Sequence, residues 1–448
     1  MFGLASELAA LAAEGKKVRI GLIGAGQMGT DIVSQTSRMP AIEVIAIADV
    51  ALERATSAYE IAGHPKERVA IVAHLEQANR ALLADKLVAT ADYHPVIDNA
   101  QTQVIIEATG SPEIGSRTTL RALRQHKHVV MMSVETDITV GPLLKWYADR
   151  RGVVYTLAAG DEPTALYELY DFATALGLQV VAAGKGKNNP LDRDATPEQW
   201  TQEAARRGLT PEMLVEFVDG SKTMVEMAAV ANATGLVPDV RGMHGPQVNI
   251  KDLPTTFALR EAGGILSRAG VVEYVIGDLA PGVFLVFTTD QPRLRECLAL
   301  RDMGCGPNYV LIRPYHLCSM EVPLSAARAV IHHKATMAPG KHLVAEVLSI
   351  AKSDLEPGQK LERIGGRTHY GLIDRAEVAA SLGALPLGLA QGATVRRTVA
   401  KGQVIGYDDV EMPQQPIVVA LRRLQDSWIA GEIPEDALLC QLDGLASL

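Results

Sequence analysis

The segment Lys17-Val-Arg-Ile-Gly-Leu-Ile23 runs directly into Gly24-Ala-Gly-Gln-Met-Gly29. The first part is short, apolar and rich in β-branched residues, which is typical of a strand buried on both faces. The second part is a G-x-G-x-x-G motif, and a helical pattern follows it from Thr30 to Arg38. Glycines in this context permit a tight turn, close approach of the backbone to a pyrophosphate and close packing of helix on strand. The N–H groups at the start of the helix then offer donors to phosphate oxygens.

A second apolar strand, Ile42 to Ala48, ends at an acidic residue, Asp49. A carboxylate at this position binds the hydroxyls of the adenosine ribose. It repels the 2′-phosphate of NADP and so favours NAD, although Arg54 lies close enough in sequence to leave that choice open. The sequence therefore predicts an NAD(P)H site, with these coenzyme ligands in its first half: Gly24, Gly26, Gln27, Met28, Gly29 and Asp49.

Further strand patterns, at 104–108, 127–132 and 153–158, alternate with helical ones. This rhythm predicts an α/β fold with a doubly wound parallel sheet of the Rossmann type, whose ligands bind at the carboxyl ends of the strands. The small residues Ala108, Thr109 and Gly110 follow one of these strands, where they would let the backbone approach the nicotinamide side of the coenzyme.

Length and composition restrict the classes of protein that remain. A chain of 448 residues is too long for one comfortable core, so two or three domains are expected. The formal charge of −9 argues against a nucleic-acid partner. Four cysteines without C-x-x-C spacing, no apolar run of about 20 residues and an N-terminal segment unlike a signal peptide predict a cytoplasmic protein without a membrane partner.

The pattern along the chain predicts four regions. They are a dinucleotide-binding Rossmann domain at 1–158, an α+β catalytic domain at 159–320, a connecting helix at 321–340 and a small, mostly β domain at 341–448.

Polar residues in the middle of the chain form two candidate groups. Asp161 and Glu162 directly follow a strand and a glycine, where carboxylates hold a divalent cation, transfer protons or simply cap a helix. A strand pattern at 179–183 is followed by Gly184-Lys-Gly-Lys-Asn-Asn-Pro190. We expect a loop here that presents Lys185, Lys187 and Asn188 to a phosphate or carboxylate, the alternative being an ordinary solvated loop.

A third group lies on the helix that the sequence predicts from Asp219 to about Ala233. Lys222 and Glu226 are four residues apart and share one face, as in a surface ion pair, but their apolar neighbours favour a face turned inward. Asn232 lies further along the same helix. His244 lies in a loop rich in glycine and proline, where a lone histidine is more often structural than catalytic.

These segments resemble a known family. The Rossmann half and the Asp219–Lys222 helix resemble the homoserine dehydrogenase superfamily, and the tail segments AKSDLEPGQKL and KGQVI look like a SAF domain. The combination resembles the 1-deoxy-D-xylulose 5-phosphate reductoisomerase-like (DRL) enzymes over essentially the whole chain. The most specific segments are GLIGAGQMGTDIV, AAGDEP, GKGKNNPL, DGSKTMVEMAAVANATGLVPD and RPYHLCSMEVPL.

The resemblance implies rearrangement of 1-deoxy-D-xylulose 5-phosphate, or a similar sugar phosphate, followed by NAD(P)H reduction to 2-C-methyl-D-erythritol 4-phosphate in isoprenoid biosynthesis. It implies Mg²⁺ or Mn²⁺ on Asp161, Glu162 and Glu226, and a homodimer. Phosphate binding would fall to Lys185, Lys187 and Lys222, with Lys222 or Lys187 transferring a proton. The full implied catalytic set is Asp161, Glu162, Lys185, Lys187, Asn188, Asp219, Lys222 and Glu226.

Two departures from the family pattern keep other functions open. Related enzymes carry a lysine just after the strand at 129–132, where this chain has Ser133-Val-Glu135. Asp49 also fits poorly with a preference for NADPH. One alternative is a plain NAD(P)-dependent dehydrogenase of a homoserine-like or sugar-derived polyol or acid. The other is a non-catalytic NAD-sensing or carbohydrate-binding protein.

Overall fold

The computed structural model describes residues 3–414 and 416–447. The chain divides into two compact units, each made of separate stretches of sequence. The first unit comprises Met1–Asp161, Leu317–Lys341 and Pro416–Leu448, and the second comprises Glu162–His316 and His342–Gln415. The first stretch of the first unit ends at Asp161, and the predicted domain bounds of 1–158 and 159–320 stay a prediction. The predicted C-terminal domain, 341–448, is instead shared out, because 342–415 belongs to the second unit and 416–448 to the first.

Sixteen strands are formed by the described residues. In chain order they are β1 Val18–Ile23, β2 Ile42–Ala48, β3 Val69–Ile71, β4 Leu87–Thr90, β5 Val104–Glu107, β6 His128–Met131, β7 Tyr155–Leu157, β8 Gln179–Lys187, β9 Val237–Pro238, β10 Val271–Ile276, β11 Val283–Thr288, β12 Asn308–Arg313, β13 Ala345–Ala351, β14 His369–Arg375, β15 Thr394–Val395 and β16 Val410–Glu411.

The described residues also form seventeen α-helices. These are α1 Leu4–Ala13, α2 Gln27–Thr36, α3 Leu52–Ile61, α4 Leu75–Leu83, α5 His94–Ile97, α6 Pro112–Arg124, α7 Val134–Arg151, α8 Glu162–Ala175, α9 Pro197–Arg207, α10 Pro211–Val218, α11 Ser221–Thr234, α12 Leu253–Thr256, α13 Pro292–Ala299, α14 Val322–His332, α15 Ala376–Ser381, α16 Ile417–Ile429 and α17 Glu435–Leu445. None of the helices in this part of the chain has the length and apolar character needed to cross a membrane.

The first unit is built on a seven-stranded sheet in the order β3-β4-β2-β1-β5-β6-β7. Every neighbouring pair is parallel, which confirms the predicted doubly wound Rossmann fold. The central strand β1 pairs with β2 on one side and β5 on the other. The chain order reverses at this point, where such sheets bind their ligands beyond the carboxyl ends of the strands.

Helix α16, the second-last helix, belongs to the first unit, and one of its side chains completes a broken helix there. Pro142, inside α7, has no N–H and interrupts the helical hydrogen bonds around it. The buried amide of Gln425 is inserted at this break: its Oε1 accepts from Leu143 N at 3.1 Å and its Nε2 donates to Thr139 O at 3.1 Å. The side chain therefore satisfies two backbone groups that would otherwise be orphaned in the core.

The second unit is built on a mixed five-stranded sheet in the order β12-β11-β8-β10-β9. Strand β8 lies at its centre, parallel to β10 and antiparallel to β11. One core cluster of this unit packs Val181 and Ala182 of β8 against Phe284 and Val286 of β11. Residues 342–415 add two small antiparallel pairs, β13–β14 and β15–β16. They fit the mostly β character expected of the tail, and its SAF type stays a prediction.

The expected loop at 184–190 is wrong in its first half. Strand β8 continues through Lys187, and residues 181–187 are all buried. A Cβ on Gly184 would lie 2.3 Å from the Glu273 carbonyl oxygen, and one on Gly186 would lie 2.7 Å from Ala280 N. These glycines are therefore present because neighbouring backbone packs against the strand, and not because the chain turns. Lys185 and Lys187 alternate with these glycines along β8, so their side chains lie on the opposite face of the sheet from the glycines.

Candidate active site

The G-x-G-x-x-G turn has the close contacts that its glycines predict. Gly24 has φ +98°, and a Cβ there would lie 2.7 Å from the Ala108 carbonyl oxygen, so the loops after β1 and β5 are in contact. A Cβ on Gly29 would lie 2.1 Å from Gly24 O. Gly26 faces open space at the start of α2. Exposed donors at a helix start, approached without steric obstruction, fit a pyrophosphate.

Asp49 lies at the carboxyl end of β2, as predicted, and its carboxylate is held in place by backbone donors. One oxygen accepts from Ala25 N at 2.8 Å and the other from Ala51 N at 2.9 Å. The side chain is only partly buried, and each carboxylate oxygen has a second lone pair. The geometry therefore fits binding of ribose hydroxyls while keeping the charge that disfavours a 2′-phosphate.

A buried acid that sequence reasoning missed, Glu107, lies at the carboxyl end of β5. It accepts from Thr109 N at 2.9 Å, from the Thr109 hydroxyl and from the Ser133 hydroxyl. Ser133 Oγ in turn accepts from Gly110 N at 2.9 Å. Burial raises the pKa of Glu107, and the hydrogen bonds from Ser133 and Thr109 oppose that rise. An acid inside an otherwise apolar strand was the available sequence signal.

In the second unit, the structure brings three of the predicted catalytic residues into one buried cluster. Lys185 Nζ on β8 lies 2.7 Å from Glu162 Oε1, at the start of α8, and also forms an ion pair with Glu226 on α11. The side chains of Lys185 and Glu226 are 7% and 1% exposed. The inward orientation of Glu226 confirms the reading of α11 as a helix whose apolar surroundings turn this face into the core.

Opposing effects set the protonation of this cluster. Burial alone would lower the pKa of Lys185, but the charges of Glu162 and Glu226 outweigh it and hold that pKa above its ordinary value. Burial and the negative charge of Glu162 raise the pKa of Glu226, although Lys185 opposes the rise. The cluster therefore combines a permanent cation with a carboxyl whose proton affinity is increased, which suits proton exchange near neutral pH.

Two further groups adjoin these residues. His316, which sequence reasoning did not select although it lies in the RPYH segment, places Nε2 3.3 Å from Glu162 Oε1. Lys187, two residues after Lys185 on β8, donates to Phe217 O at 2.5 Å. Burial and the charge of Lys185 lower the pKa of Lys187 to about 8. Its amine can therefore gain or lose a proton close to physiological pH.

Asp219 is buried two residues before the start of α11 and is paired with a lysine from the tail. Lys352 Nζ lies 2.8 Å from Asp219 Oδ2, and the two side chains are 3% and 0% exposed. The same ammonium donates to Ala195 O at 3.0 Å and to Gly366 O at 2.8 Å. Asp219 Oδ1 accepts from Ser221 N in the first turn of α11. Lys352 thus joins the tail to the helix that carries Lys222 and Glu226.

The remaining predicted residues have other surroundings. Asn188 is exposed beyond the end of β8. Lys222 is partly buried, and its charge opposes the rise in the pKa of Glu226. Asp161 is the last residue of the first unit's N-terminal stretch, next to Glu162 in the chain. His244 Nδ1 lies 2.6 Å from Glu273 Oε1, which supports its structural reading.

Asn232 also has a structural contact, accepting from the backbone of Val344 and Ala345.

The predicted Mg²⁺ or Mn²⁺ would need carboxylate oxygens as ligands. Glu162 and Glu226 converge on a single point in the second unit, and the Lys185 ammonium fills it. A divalent cation held jointly by these carboxylates at that point would have to displace a buried, charged lysine. In this state the Lys185 ammonium neutralises the two carboxylates, and the metal set Asp161, Glu162 and Glu226 stays a prediction.

Comparison with known families agrees with this division of the chain. Residues 24–138 match the NAD binding domain of homoserine dehydrogenase, and residues 160–322 match the catalytic domain of the oxidoreductase DRL. The chain is thus an NAD(P)-dependent oxidoreductase, with a homoserine dehydrogenase-type coenzyme domain and a DRL-type catalytic domain. No curated protein matches the sequence.

Solved structures resemble the chain in fold alone. A myo-inositol dehydrogenase from Corynebacterium glutamicum ATCC 13032 is 12% identical over 66% of this chain and 75% of that one, with a TM-score of 0.38. A probable dehydrogenase from Thermotoga maritima is 11% identical over 96% and 94%, with a TM-score of 0.35. The 1-deoxy-D-xylulose 5-phosphate reductoisomerase from Zymomonas mobilis, in complex with NADPH, is 17% identical over 47% and 57%, with a TM-score of 0.34.

Proposed function

We propose that the chain reduces a phosphorylated sugar with NAD(P)H after rearranging its carbon skeleton, converting 1-deoxy-D-xylulose 5-phosphate or a close relative to 2-C-methyl-D-erythritol 4-phosphate. The observation that carries this proposal is the match of residues 160–322 to the DRL catalytic domain. The Lys185 ammonium lies within this segment, buried between Glu162 and Glu226. The resemblance of the Rossmann half supports the use of a nicotinamide coenzyme.

The cluster supplies the groups that carbonyl reduction needs. NAD(P)H, when bound, would provide the hydride. As the carbonyl oxygen gains negative charge, the fixed ammonium of Lys185 would stabilise it electrostatically in a site of low dielectric constant. Glu226, whose pKa is raised by burial and by Glu162, would exchange the proton that this oxygen gains or loses. His316 beside Glu162 would hold the second carboxylate in place.

Charge balance also assigns the phosphate-binding role among the predicted lysines. Lys185 already donates to two carboxylates, which leaves one N–H for the reacting oxygen and none for the several oxygens of a phosphate. Lys187 and Lys222 remain the proposed cations for that group. Since the pKa of Lys187 is lowered to about 8, a dianionic phosphate nearby would raise it again and hold the amine charged.

A second candidate, a plain NAD-dependent dehydrogenase of a sugar-derived polyol or acid, is favoured by two observations. A lysine occupies the point between Glu162 and Glu226, and an ammonium can assist simple hydride transfer without a metal. Asp49 is held in position to bind the ribose hydroxyls of NAD. This reaction leaves the carbon skeleton of the substrate unchanged, so the product distinguishes the two candidates.

The test is to incubate the purified protein with 1-deoxy-D-xylulose 5-phosphate and NADPH or NADH, with EDTA or with added Mg²⁺ or Mn²⁺. Coenzyme oxidation is followed by absorbance and the product is identified by NMR. A branched erythritol phosphate supports the proposal. Coenzyme binding without turnover of this substrate, together with oxidation of a polyol, would replace it with the plain dehydrogenase. A strict metal requirement would show that Lys185 yields its place between the carboxylates.

A matched pair of variants tests the role of the cluster. Glu226→Gln keeps the shape of the side chain but cannot exchange the proton, so kcat should fall by about 10²-fold or more. The control is Glu203→Gln, since Glu203 lies on the surface of the same unit and pairs with Arg206 and Arg207. Wild-type kcat in the Glu226→Gln variant would remove Glu226 from the mechanism.

A further inference from the structure

The path of a dinucleotide over the first unit follows from its strand order. The pyrophosphate motif follows β1, and Asp49, which suits the adenosine ribose, follows β2 on one side of it. Strand β5 lies on the other side of β1, and the loops after β1 and β5 are in contact at Gly24 and Ala108. A coenzyme with its adenosine over β2 must therefore extend its nicotinamide half towards the loop after β5.

Buried side chains hold the conformation of the loop after β5 through hydrogen bonds. Thr109 and Gly110 are exposed, yet their backbone N–H groups point inward, to Glu107 and to Ser133 Oγ respectively. Gly110 has φ +67°, and a Cβ there would meet open space. The loop is thus an exposed turn whose hydrogen bonds end on a fully buried carboxylate at the end of β5 and a buried hydroxyl after β6.

Burial of the Glu107 carboxyl beside Ser133 costs free energy of folding, so its presence in this strand needs an explanation. An isolated buried carboxyl is unfavourable, and an apolar residue would suit a strand whose other side chains are valine and isoleucine. The neighbouring helix α6 is also packed tightly against it, since a Cβ on Gly115 would lie 3.3 Å from Glu107 Oε2.

We propose that Glu107 and Ser133 are positioning residues that hold the Thr109–Gly110 turn in the shape that binds the nicotinamide half of the coenzyme. The inference rests on the NAD(P)-dependent class, but not on the identity of the substrate. It extends the predicted coenzyme site from Ala108, Thr109 and Gly110 to two buried residues that need not touch the coenzyme.

The test compares the whole coenzyme with the half that lacks nicotinamide. Binding of NADH and ADP-ribose, or of NADPH and 2′-phospho-ADP-ribose if that coenzyme binds better, is measured by isothermal titration calorimetry. The variants are Glu107→Gln and Ser133→Ala. The control is Ser116→Ala, which removes an equally buried hydroxyl from α6 of the same unit. Far-UV circular dichroism verifies that each protein is folded.

Both test variants should bind the reduced coenzyme about five- to tenfold more weakly, the effect of losing about one hydrogen bond, and ADP-ribose within about twofold of wild type. Asp49→Ala should weaken both ligands, since it acts on the half they share. Equal weakening of both ligands in Glu107→Gln and Ser133→Ala, or no change in either, would overturn the inference. Absence of coenzyme binding by the wild type would overturn it together with the oxidoreductase class, whereas failure to turn over the proposed sugar phosphate would leave it standing.

Discussion

Replacing Lys352 with methionine removes the cation at the centre of a buried network in the second unit. The ammonium lies 2.8 Å from Asp219 Oδ2 and also donates to the carbonyl oxygens of Ala195 and Gly366. Methionine has nearly the same length and fits the same space, so the packing volume changes little. The variant therefore isolates the loss of charge and of three polar contacts.

The expected cost follows from what is left behind. Breaking a buried ion pair by removing one partner costs about 3–5 kcal/mol, because the other charge remains buried without compensation. Burial raises the pKa of Asp219 even with Lys352 present. In the variant this carboxyl can therefore take up a proton, which limits the loss in the free energy of unfolding. For a unit of this size, a loss of 3–5 kcal/mol corresponds to a fall in Tm of about 6–20 °C.

The assay is urea unfolding followed by hydrogen-exchange mass spectrometry of peptides from α9 to α11 and from β13 to β14, so that the second unit is observed separately. Lys401→Met serves as the control, since this exposed lysine of the same tail pairs with Asp194 on the surface and its loss should leave stability unchanged. Adding Asp219→Asn to Lys352→Met should recover part of the lost stability. A free energy of unfolding for Lys352→Met within about 1 kcal/mol of wild type would refute this prediction, since it lies below the range expected for a broken buried pair.

Two predictions concern the first unit. Gln425→Leu should lower its free energy of unfolding by about 1–3 kcal/mol, because Leu143 N and Thr139 O lose their partner at the Pro142 break; calorimetry that shows no change would contradict this. Asp137 is buried, accepts from the Tyr155 hydroxyl, and burial raises its pKa from 3.8 to about 7. The stability it contributes as a neutral acid is complete below about pH 4 and is lost as the pH rises to about 7, since only the unfolded chain ionises in that interval. The stability of wild type relative to Asp137→Asn should therefore fall from pH 4 to pH 7 in urea titrations, and a constant difference would be inconsistent with this pKa.

Much of the first unit could be predicted from local patterns. The predicted strand 42–48 coincides with β2, and the G-x-G-x-x-G turn lies between β1 and α2 as expected. The parallel order also followed, since buried apolar strands that alternate with helices have few ways to pack. In the second unit, the apolar neighbours of Glu226 were enough to indicate that it points inward.

Other features depended on contacts between residues far apart in sequence. Glycines 184 and 186 resemble a loop in sequence, and only the backbone packed against β8 shows why a central strand contains them. Glu107 and Ser133 are 26 residues apart and meet because β5 and β6 are neighbours. Lys352 reaches Asp219 across 133 positions of sequence, a pairing that no spacing rule predicts.

The sequence alone determined the class of fold, the coenzyme turn and most of the residues that carry charge into the candidate site, because strand and helix periodicity and glycine turns are local properties. The tertiary structure decided which of those charges meet. It placed Lys185 between Glu162 and Glu226 and paired Lys352 of the tail with Asp219. It also made residues 416–448 part of the unit that contains the Rossmann sheet. The physical reason is that a buried charge must find an opposite charge or a hydrogen-bonding partner, and the packing of the chain determines which partners lie within reach.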